Sequence, residues 1–229
     1  MIRPLLLVPA LSAGLALAAQ KTEPVLLHFT PLFQGKALVL HADDASPAAS
    51  DVETFKCYLS AFKLISKGKV MWAEKDSYHL LDASDSATLD VALAVPQNLI
   101  WDHVEFQLGI DSTTSVSGVF GGDLDPTKGM YWTWNSGYIH FKLEGHDPRS
   151  AGRGGEFSFH LGGYLSPFAT VRTITLERCG AIKQHITIDL DHFLDEINML
   201  AQYDVMSPGE TAYKLSLSVT NIFHCGDVE

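Results

Sequence analysis

The amino-acid sequence predicts an all-β protein: an antiparallel, β-sandwich-like domain with one short amphipathic helix near the C-terminus. Short segments of alternating apolar and polar residues recur along the chain, and residues typical of turns separate them. This spacing of strands is typical of a β-sandwich. One stretch, 191–201, differs, because an acidic N-cap precedes apolar residues at helical spacing. These residues are Phe193, Leu194, Ile197 and Leu200.

The predicted strands follow one another without a linker. In chain order they cover 25–29, 55–65, 69–73, 78–81, 88–91, 103–109, 130–143, 156–164, 170–176, 185–188 and 212–220. Segments 40–51 and 147–155 are rich in turn-forming residues and are predicted to be surface loops. Because nothing divides the remaining chain, we expect a single domain over 20–229.

The first residues have the pattern of a secretory signal peptide. A short start containing Arg3 precedes an apolar run over 5–17, and Ala16-Leu17-Ala18 is an A-x-A cleavage pattern. We therefore expect residues 1–19 to be removed and the mature protein to be periplasmic or secreted. The apolar run is too short for a membrane span of about 20 residues. We do not expect a membrane-spanning protein.

The chain is acidic, with a formal net charge of -11 at pH 7. No basic stripe is visible along the sequence, so nucleic acid is not an expected partner. Three cysteines leave an odd number for an exported chain. Cys179 and Cys225 each close a predicted strand, which favours a disulfide between them and a free, buried Cys57. Spacing alone does not prove this pairing; a cysteine metal site is the alternative, weakened by the absence of a C-x-x-C pair.

The segment 129–138 is the most informative part of the chain. On one continuous strand, Met130, Trp132 and Trp134 would project from the same face. A thioether is a soft ligand that suits Cu(I), whereas ordinary core packing is the alternative role for such residues.

Three histidines are candidate ligands. His160 alternates with Phe159 and Leu161 and shares its predicted face with small residues, which leaves room for a metal ion. His28 and His140 are its competitors. On a continuous strand His140 would lie roughly 33 Å from Met130, so the two residues would not share a site unless the strand is sharply broken.

Enzyme signatures are absent from the sequence. It contains no G-x-S-x-G elbow, no H-E-x-x-H, no phosphate-binding loop and no dinucleotide fingerprint. Asp123 and Asp125 resemble the start of a calcium loop but lack the downstream glutamate, so a turn is the favoured interpretation. We therefore expect no catalytic residues and a protein that is not an enzyme.

Several motifs together resemble those of the MbnP-like copper-binding proteins. They occupy 58–64, 78–82, 106–112, 129–138, 142–145 and 159–162, and the sharpest of them is the W-x-W of Trp132 and Trp134. The resemblance implies an exported protein of bacterial copper homeostasis. It also implies a partner, a MauG-like protein of the di-haem cytochrome c peroxidase family, which oxidises the first tryptophan of the motif to kynurenine.

The resemblance assigns roles to particular residues. Trp132 would be the oxidised tryptophan, and Cu(I) would be bound beside it by a methionine and a histidine. We choose Met130 and His160, the latter over His28 because it lies in the F-H-L-G segment. Trp134 and Tyr138 would be neighbouring rings.

Two other functions compete with this one. A metal-free carbohydrate- or surface-binding β-sandwich would use Trp132, Trp134 and Tyr138 as a stacking platform. An enzyme that uses the same copper for redox chemistry would require open coordination, which nothing in the sequence demands.

Overall fold

The computed structural model describes residues 21–40, 49–134 and 137–226. The predicted signal peptide, residues 1–19, lies outside the described residues, as does most of the predicted loop 40–51. The predicted fold class is confirmed: the described chain is mostly β, in two sheets that are largely antiparallel. No helix among these residues is long and apolar enough to cross a membrane.

The smaller sheet has five strands in the order β14-β12-β1-β2, with β6 also paired to β1. The strand β1 is parallel to β12 and antiparallel to β6 and β2. Its strands are β1 (Thr22–Phe33), β2 (Lys36–Ala37), β6 (Asp90–Pro96), β12 (Lys183–Asp189) and β14 (Phe223–Cys225).

The larger sheet has nine strands, and β11-β7-β3-β9-β10-β13 is its main order. Three further strands, β4, β5 and β8, pair with β3 or β9. The strands are β3 (Asp51–Ser66), β4 (Lys69–Ala73), β5 (Tyr78–Asp82), β7 (His103–Leu108), β8 (Tyr131–Trp132), β9 (Gly137–His146), β10 (Glu156–Gly162), β11 (Arg172–Glu177) and β13 (Asp204–Val205).

The main core lies between the two sheets. Strand alternation sends every second side chain inward, and Phe29 on β1 meets Phe106 on β7 with ring centroids 6.0 Å apart. Phe55 on β3 contacts Phe141 on β9 within the larger sheet. Each buried aromatic ring stabilises the fold by about 1.5–3 kcal/mol relative to an exposed one.

A helix closes one side of this core. The helix α2 (Leu190–Asp195) begins after Asp189, whose carboxylate accepts a hydrogen bond from the backbone N–H of His192 at 3.0 Å. Phe193 packs on Phe141 and Phe159. The predicted helix is therefore present, but it is shorter than the predicted 191–201 and is capped by Asp189 rather than Asp191.

The predicted strand 212–220 is wrong, because this segment forms the helix α3 (Glu210–Ser218). Its buried residues Ala212 and Leu215, followed by the buried Val219, recur at helical spacing. Lys214 pairs with Glu210 one turn earlier at 2.6 Å. A further short helix, α1 (Ser112–Val116), begins at Asp111, which caps it through the N–H of Thr114.

The predicted strand 130–143 is also wrong as one continuous element. Trp132 on β8 pairs with Gly137 on β9, so the chain reverses direction between these two residues. The physical reason is visible in the sequence, where Asn135, Ser136 and Gly137 are turn-favouring residues. Met130, Trp132 and Trp134 therefore do not lie along one extended strand.

The cysteines differ in their environment. Cys179 and Cys225 form a disulfide with their Cα atoms 5.9 Å apart, which ties the end of β14 to the loop before β12. Cys57 is a free thiol buried in the main core, where desolvation raises its pKa.

Candidate metal centre

The hairpin of β8 and β9 brings the motif residues together. Tyr131 pairs with Tyr138, and the backbone N–H of Ile139 donates to the carbonyl oxygen of Met130 at 2.9 Å. The rings of Tyr131 and Tyr138 meet edge to face with centroids 5.0 Å apart. Met130 is therefore hydrogen-bonded through its backbone to Ile139, the residue before His140.

A second hydrophobic cluster, called the hairpin cluster below, surrounds this hairpin. It is separate from the main core and contains Tyr58, Leu80, Ile110, Leu124, Met130, Trp132, Tyr138 and Ile139. Tyr58 and Leu80 are register partners, while the chain neighbours Cys57 and Leu81 belong to the main core. Because side chains alternate along a strand, these members of the hairpin cluster lie on the outer face of the larger sheet.

The segment before the hairpin covers this outer face. The hydroxyl of Tyr58 donates to the carbonyl of Asp123 at 2.8 Å, and that of Tyr138 donates to the carbonyl of Leu124 at 3.1 Å. The Asp123 carboxylate accepts from the N–H of Leu80 and from the Lys128 ammonium. Asp125 caps the short helical turn at 126–128, so both aspartates organise tight turns before Met130, in agreement with the turn interpretation.

Met130 and Trp132, two residues of the segment 129–138, are buried. Met130 is fully buried and Trp132 is 6% exposed. A Cβ built on Gly162 of β10 would fall 2.7 Å from Cζ3 of Trp132 and 2.5 Å from the carbonyl oxygen of Tyr138. Only glycine therefore leaves room for the indole at this point of β10.

Trp134 has the opposite character. Its side chain is 65% exposed, and its ring centroid lies 6.0 Å from that of Trp132 at an interplanar angle of 51°. The W-x-W motif therefore combines one buried indole with one surface indole in contact with it.

The predicted ligand His160 lies on β10, two residues before Gly162. It is 5% exposed, and its Nε2 lies 2.7 Å from Oε1 of Glu144 on the neighbouring strand β9. This hydrogen bond, together with Lys142 at 3.5 Å, lowers the pKa of Glu144 to about 2 against the opposing effect of burial. A carboxylate on one imidazole nitrogen fixes the ring orientation and tautomer, as it does for many metal-bound histidines.

His140 is a candidate that could share a site with Met130 only if the predicted strand were sharply broken. The reversal at the hairpin is such a break, so the expected separation of roughly 33 Å does not apply. The ladder between β9 and β10 passes from the Leu161–Phe141 pair to the Gly162–Ile139 pair, so His140 is a bulged residue. The turn-favouring residues 135–137 were the signal in the sequence that could have found this arrangement.

The imidazole of His140 is buried in an unusual environment. Its Nδ1 lies 2.9 Å from the Thr170 hydroxyl, and its ring packs so closely on Gly109 that a Cβ there would be 2.6 Å away. Its Nε2 has no hydrogen-bond partner among the described residues. Burial, helped by the charge of Arg172, lowers the pKa of His140 to about 3, so the ring is neutral and keeps a lone pair.

His28, the third histidine, belongs to the other sheet. It lies on β1, where its Nδ1 is 2.8 Å from Asp90 and its ring is 5.6 Å from that of His185. Met130 and Trp132, by contrast, belong to the hairpin on the larger sheet.

The described residues contain no group of three or more His, Cys, Asp or Glu side chains arranged to hold a metal ion. The soft and borderline donors that the hairpin region offers are the Met130 thioether and the nearby imidazoles. Such a donor set suits a soft, low-coordinate ion such as Cu(I) and does not suit hard ions that require several oxygen ligands.

Comparison with known proteins agrees with the fold. A family model, MbnP, matches residues 22–207. The solved structure of MbnP from Methylosinus trichosporium matches with a TM-score of 0.57 and 17% sequence identity, over 76% of this chain and 78% of that chain. This likeness concerns the fold, and no curated protein sequence gives a significant match. Since the family model spans most of the sequence, the chain belongs to the MbnP family.

Proposed function

We propose that this protein is an exported copper-binding protein of bacterial copper homeostasis, which holds one Cu(I) at Met130 and His160 beside an oxidised Trp132. One observation carries the proposal. A fully buried thioether and a buried indole share a cluster outside the main core, and the indole rests on Gly162, two residues from the His160 imidazole.

The donor atoms are suited to this ion. The thioether is a soft donor and imidazole is a borderline one, so together they favour Cu(I) over hard cations. If Glu144 accepts the Nε2 proton of His160, Nδ1 of that ring keeps the lone pair that a metal requires. Membership of the MbnP family supports copper as the metal, and the hairpin geometry supports these residues as its ligands.

His140 is the competing imidazole. Its Nε2 is buried and has no hydrogen-bond partner in the part of the chain that the structure describes, and its strand is hydrogen-bonded to the Met130 segment. We retain His160 as the proposed ligand because it lies in the family-like F-H-L-G segment. His28 lies on the smaller sheet and is a weaker candidate.

Oxidation of Trp132 would change the shape and polarity of the cluster. In this step the C2–C3 bond of the indole breaks. Two peroxide molecules supply one oxygen atom to each of these carbons and are reduced to water. Hydrolysis then releases C2 as formate. The product, kynurenine, carries an aryl amine and a ketone where the fused ring had been. In the buried cluster these groups would stand beside Met130.

The exposed Trp134 supports the involvement of a separate haem protein. Because Trp132 is 6% exposed, a large partner has little direct access to it. Trp134 lies on the surface with its ring 6.0 Å from that of Trp132, so electrons can leave the buried indole through the surface one. We propose a MauG-like di-haem protein as this partner, and nothing in the proposal requires the chain itself to catalyse a reaction.

A metal-free stacking platform receives no support from the arrangement of the rings. Trp132 and Tyr138 are both buried, which leaves Trp134 as the one exposed ring of the three. Carbohydrate stacking requires open aromatic faces, so the copper proposal accounts better for these residues.

The decisive experiment is mass analysis of the Trp132 peptide together with metal analysis of the same samples. The protein is produced with and without the di-haem partner. We expect this peptide to gain one oxygen and lose one carbon only with the partner, and that sample to hold one more copper per chain than the sample made without it. Unmodified Trp132 and equal copper in both samples would overturn the proposal.

A further inference from the structure

A row of three polar side chains crosses the smaller sheet, whereas the hairpin of β8 and β9 belongs to the larger sheet. His28 on β1 is the register partner of His185 on the parallel strand β12. On the other side of β1, His28 is the register partner of Asp90 on β6. Because register partners project from the same face of a sheet, Asp90, His28 and His185 stand side by side.

We propose that His28 and His185 form a second metal site that takes a divalent ion, Cu(II) in preference to the other first-row metals. The site does not depend on the proposed function of the hairpin. It uses neither Met130 nor Trp132.

The ring geometry suits a shared ion. The centroids of His28 and His185 are 5.6 Å apart, and their planes are inclined by 64°. Two imidazoles whose nitrogens each lie about 2.0–2.1 Å from one ion have centroids on the order of 4.5–6.5 Å apart. The observed separation therefore falls inside the range that a shared ion requires.

Asp90 would position the first ligand. Its Oδ1 lies 2.8 Å from Nδ1 of His28, so the carboxylate accepts the Nδ1 proton and leaves the lone pair on Nε2. The Lys183 ammonium, 4.0 Å from the same oxygen, further restrains the carboxylate. This carboxylate–imidazole arrangement is the one that commonly orients a metal-bound histidine.

The donor set indicates the kind of ion. Imidazoles bind Cu, Zn and Ni ions, and at a given nitrogen site Cu(II) is the tightest of the divalent series. The side chain of His28 is 30% exposed, so water has access to complete the coordination. Because neither side chain contains sulfur, this site would favour Cu(II) over Cu(I), in contrast to the hairpin.

The chain offers a matched control. His103 is also a half-exposed histidine on a strand, and its Nδ1 lies 2.6 Å from a carboxylate oxygen of Asp102. Its register partners are Ile65 and Glu177, neither of which is an imidazole. His103 therefore reproduces the carboxylate–histidine pair without the second ring.

The test is a Cu(II) titration of the tag-free, copper-free protein, followed by electron paramagnetic resonance. We expect one Cu(II) per chain with coupling to two nitrogens. His28→Gln and His185→Gln should each weaken binding at least tenfold and remove one nitrogen coupling, whereas His103→Gln should leave both unchanged. Circular dichroism verifies that each variant is folded.

Two results would overturn the proposal. The first is Cu(II) binding that is unchanged in the His28→Gln/His185→Gln double variant. The second is an equal loss of binding in His103→Gln, which would indicate weak adsorption to any surface histidine.

Discussion

The six-membered ring of Trp132 lies directly against Gly162. A Cβ at position 162 would fall 2.7 Å from Cζ3 and 2.9 Å from Cη2 of the indole. The indole is buried, and the carbonyl oxygen of Tyr138 would lie 2.5 Å from the same Cβ. The contact between Trp132 and β10 therefore requires glycine at position 162.

We therefore predict that Gly162→Ala displaces Trp132. Overpacking a filled site typically costs about 1–3 kcal/mol, so the free energy of unfolding should fall by that amount. The fluorescence of the buried indole should change as well. Denaturant unfolding and emission spectra measure both effects.

Gly121→Ala is the matched control for this substitution. A Cβ at Gly121 meets no atom within 4 Å, and its φ of -93° is accessible to alanine. Its stability and emission should match those of the parent protein. Equal effects of the two substitutions would show that the contact between Trp132 and Gly162 is not specific.

Met130→Leu should separate folding from copper binding. Leucine has a similar volume to methionine, so the unfolding free energy should change by less than about 1.5 kcal/mol. Loss of the thioether should nevertheless reduce copper affinity, because sulfur is the softest donor of the proposed site. Copper stoichiometry and affinity of protein made with the di-haem partner measure the effect, and unchanged values would exclude Met130 as a ligand.

The choice between His160 and His140 can be decided by a parallel pair of variants. We expect His160→Gln to abolish Cu(I) binding at the hairpin, because glutamine lacks an imidazole nitrogen. His140→Gln should retain copper if His140 only packs on Gly109 and Thr170. The reverse result would move the ligand assignment to the bulge in β9.

The alternation of apolar residues predicted the β class and most strands, because burial of one face of a strand requires an apolar residue at every second position. It failed where one segment fits both periods. The segment 210–218 is a helix, and its buried residues Ala212 and Leu215 are at helical spacing. Tyr213, Leu215 and Leu217 also alternate with polar residues, which favoured a strand.

The site was less predictable than the fold. Met130 and Trp132 were placed together by an assumed strand, and the structure brings them together by a hairpin instead. The close approach of Gly162 and the burial of His140 depend on pairing between distant strands. No pattern within a single segment encodes such contacts, so the sequence alone left three histidines as candidates.

The disulfide should make a large contribution to stability. It closes a loop with a sequence separation of 46 and holds β14 against β12. Loop-closure entropy for a loop of this length corresponds to about 4 kcal/mol. The double variant Cys179→Ser/Cys225→Ser should lose stability of this order in denaturant unfolding and should be insensitive to reductant, whereas the parent protein should be destabilised by reductant.

Buried His140 should make the metal-free protein sensitive to acid. Its pKa in the folded state is lowered to about 3 from an ordinary value of 6.5, because burial disfavours the charged ring. The unfolded state therefore binds a proton first as the pH falls. The stability that the neutral ring provides is complete above pH 6.5 and declines from there down to about pH 3, by at most about 1.4 kcal/mol per pH unit.

His140→Asn removes this titration while it keeps a polar group near Thr170. The variant should be less stable than the parent at neutral pH, because the smaller side chain leaves a gap beside Gly109. Its stability should nevertheless fall less steeply between pH 6 and pH 4, since one proton fewer is taken up on unfolding. Denaturant midpoints measured across this range test the difference between the two proteins, and parallel pH profiles would show that His140 does not remain neutral in the folded state.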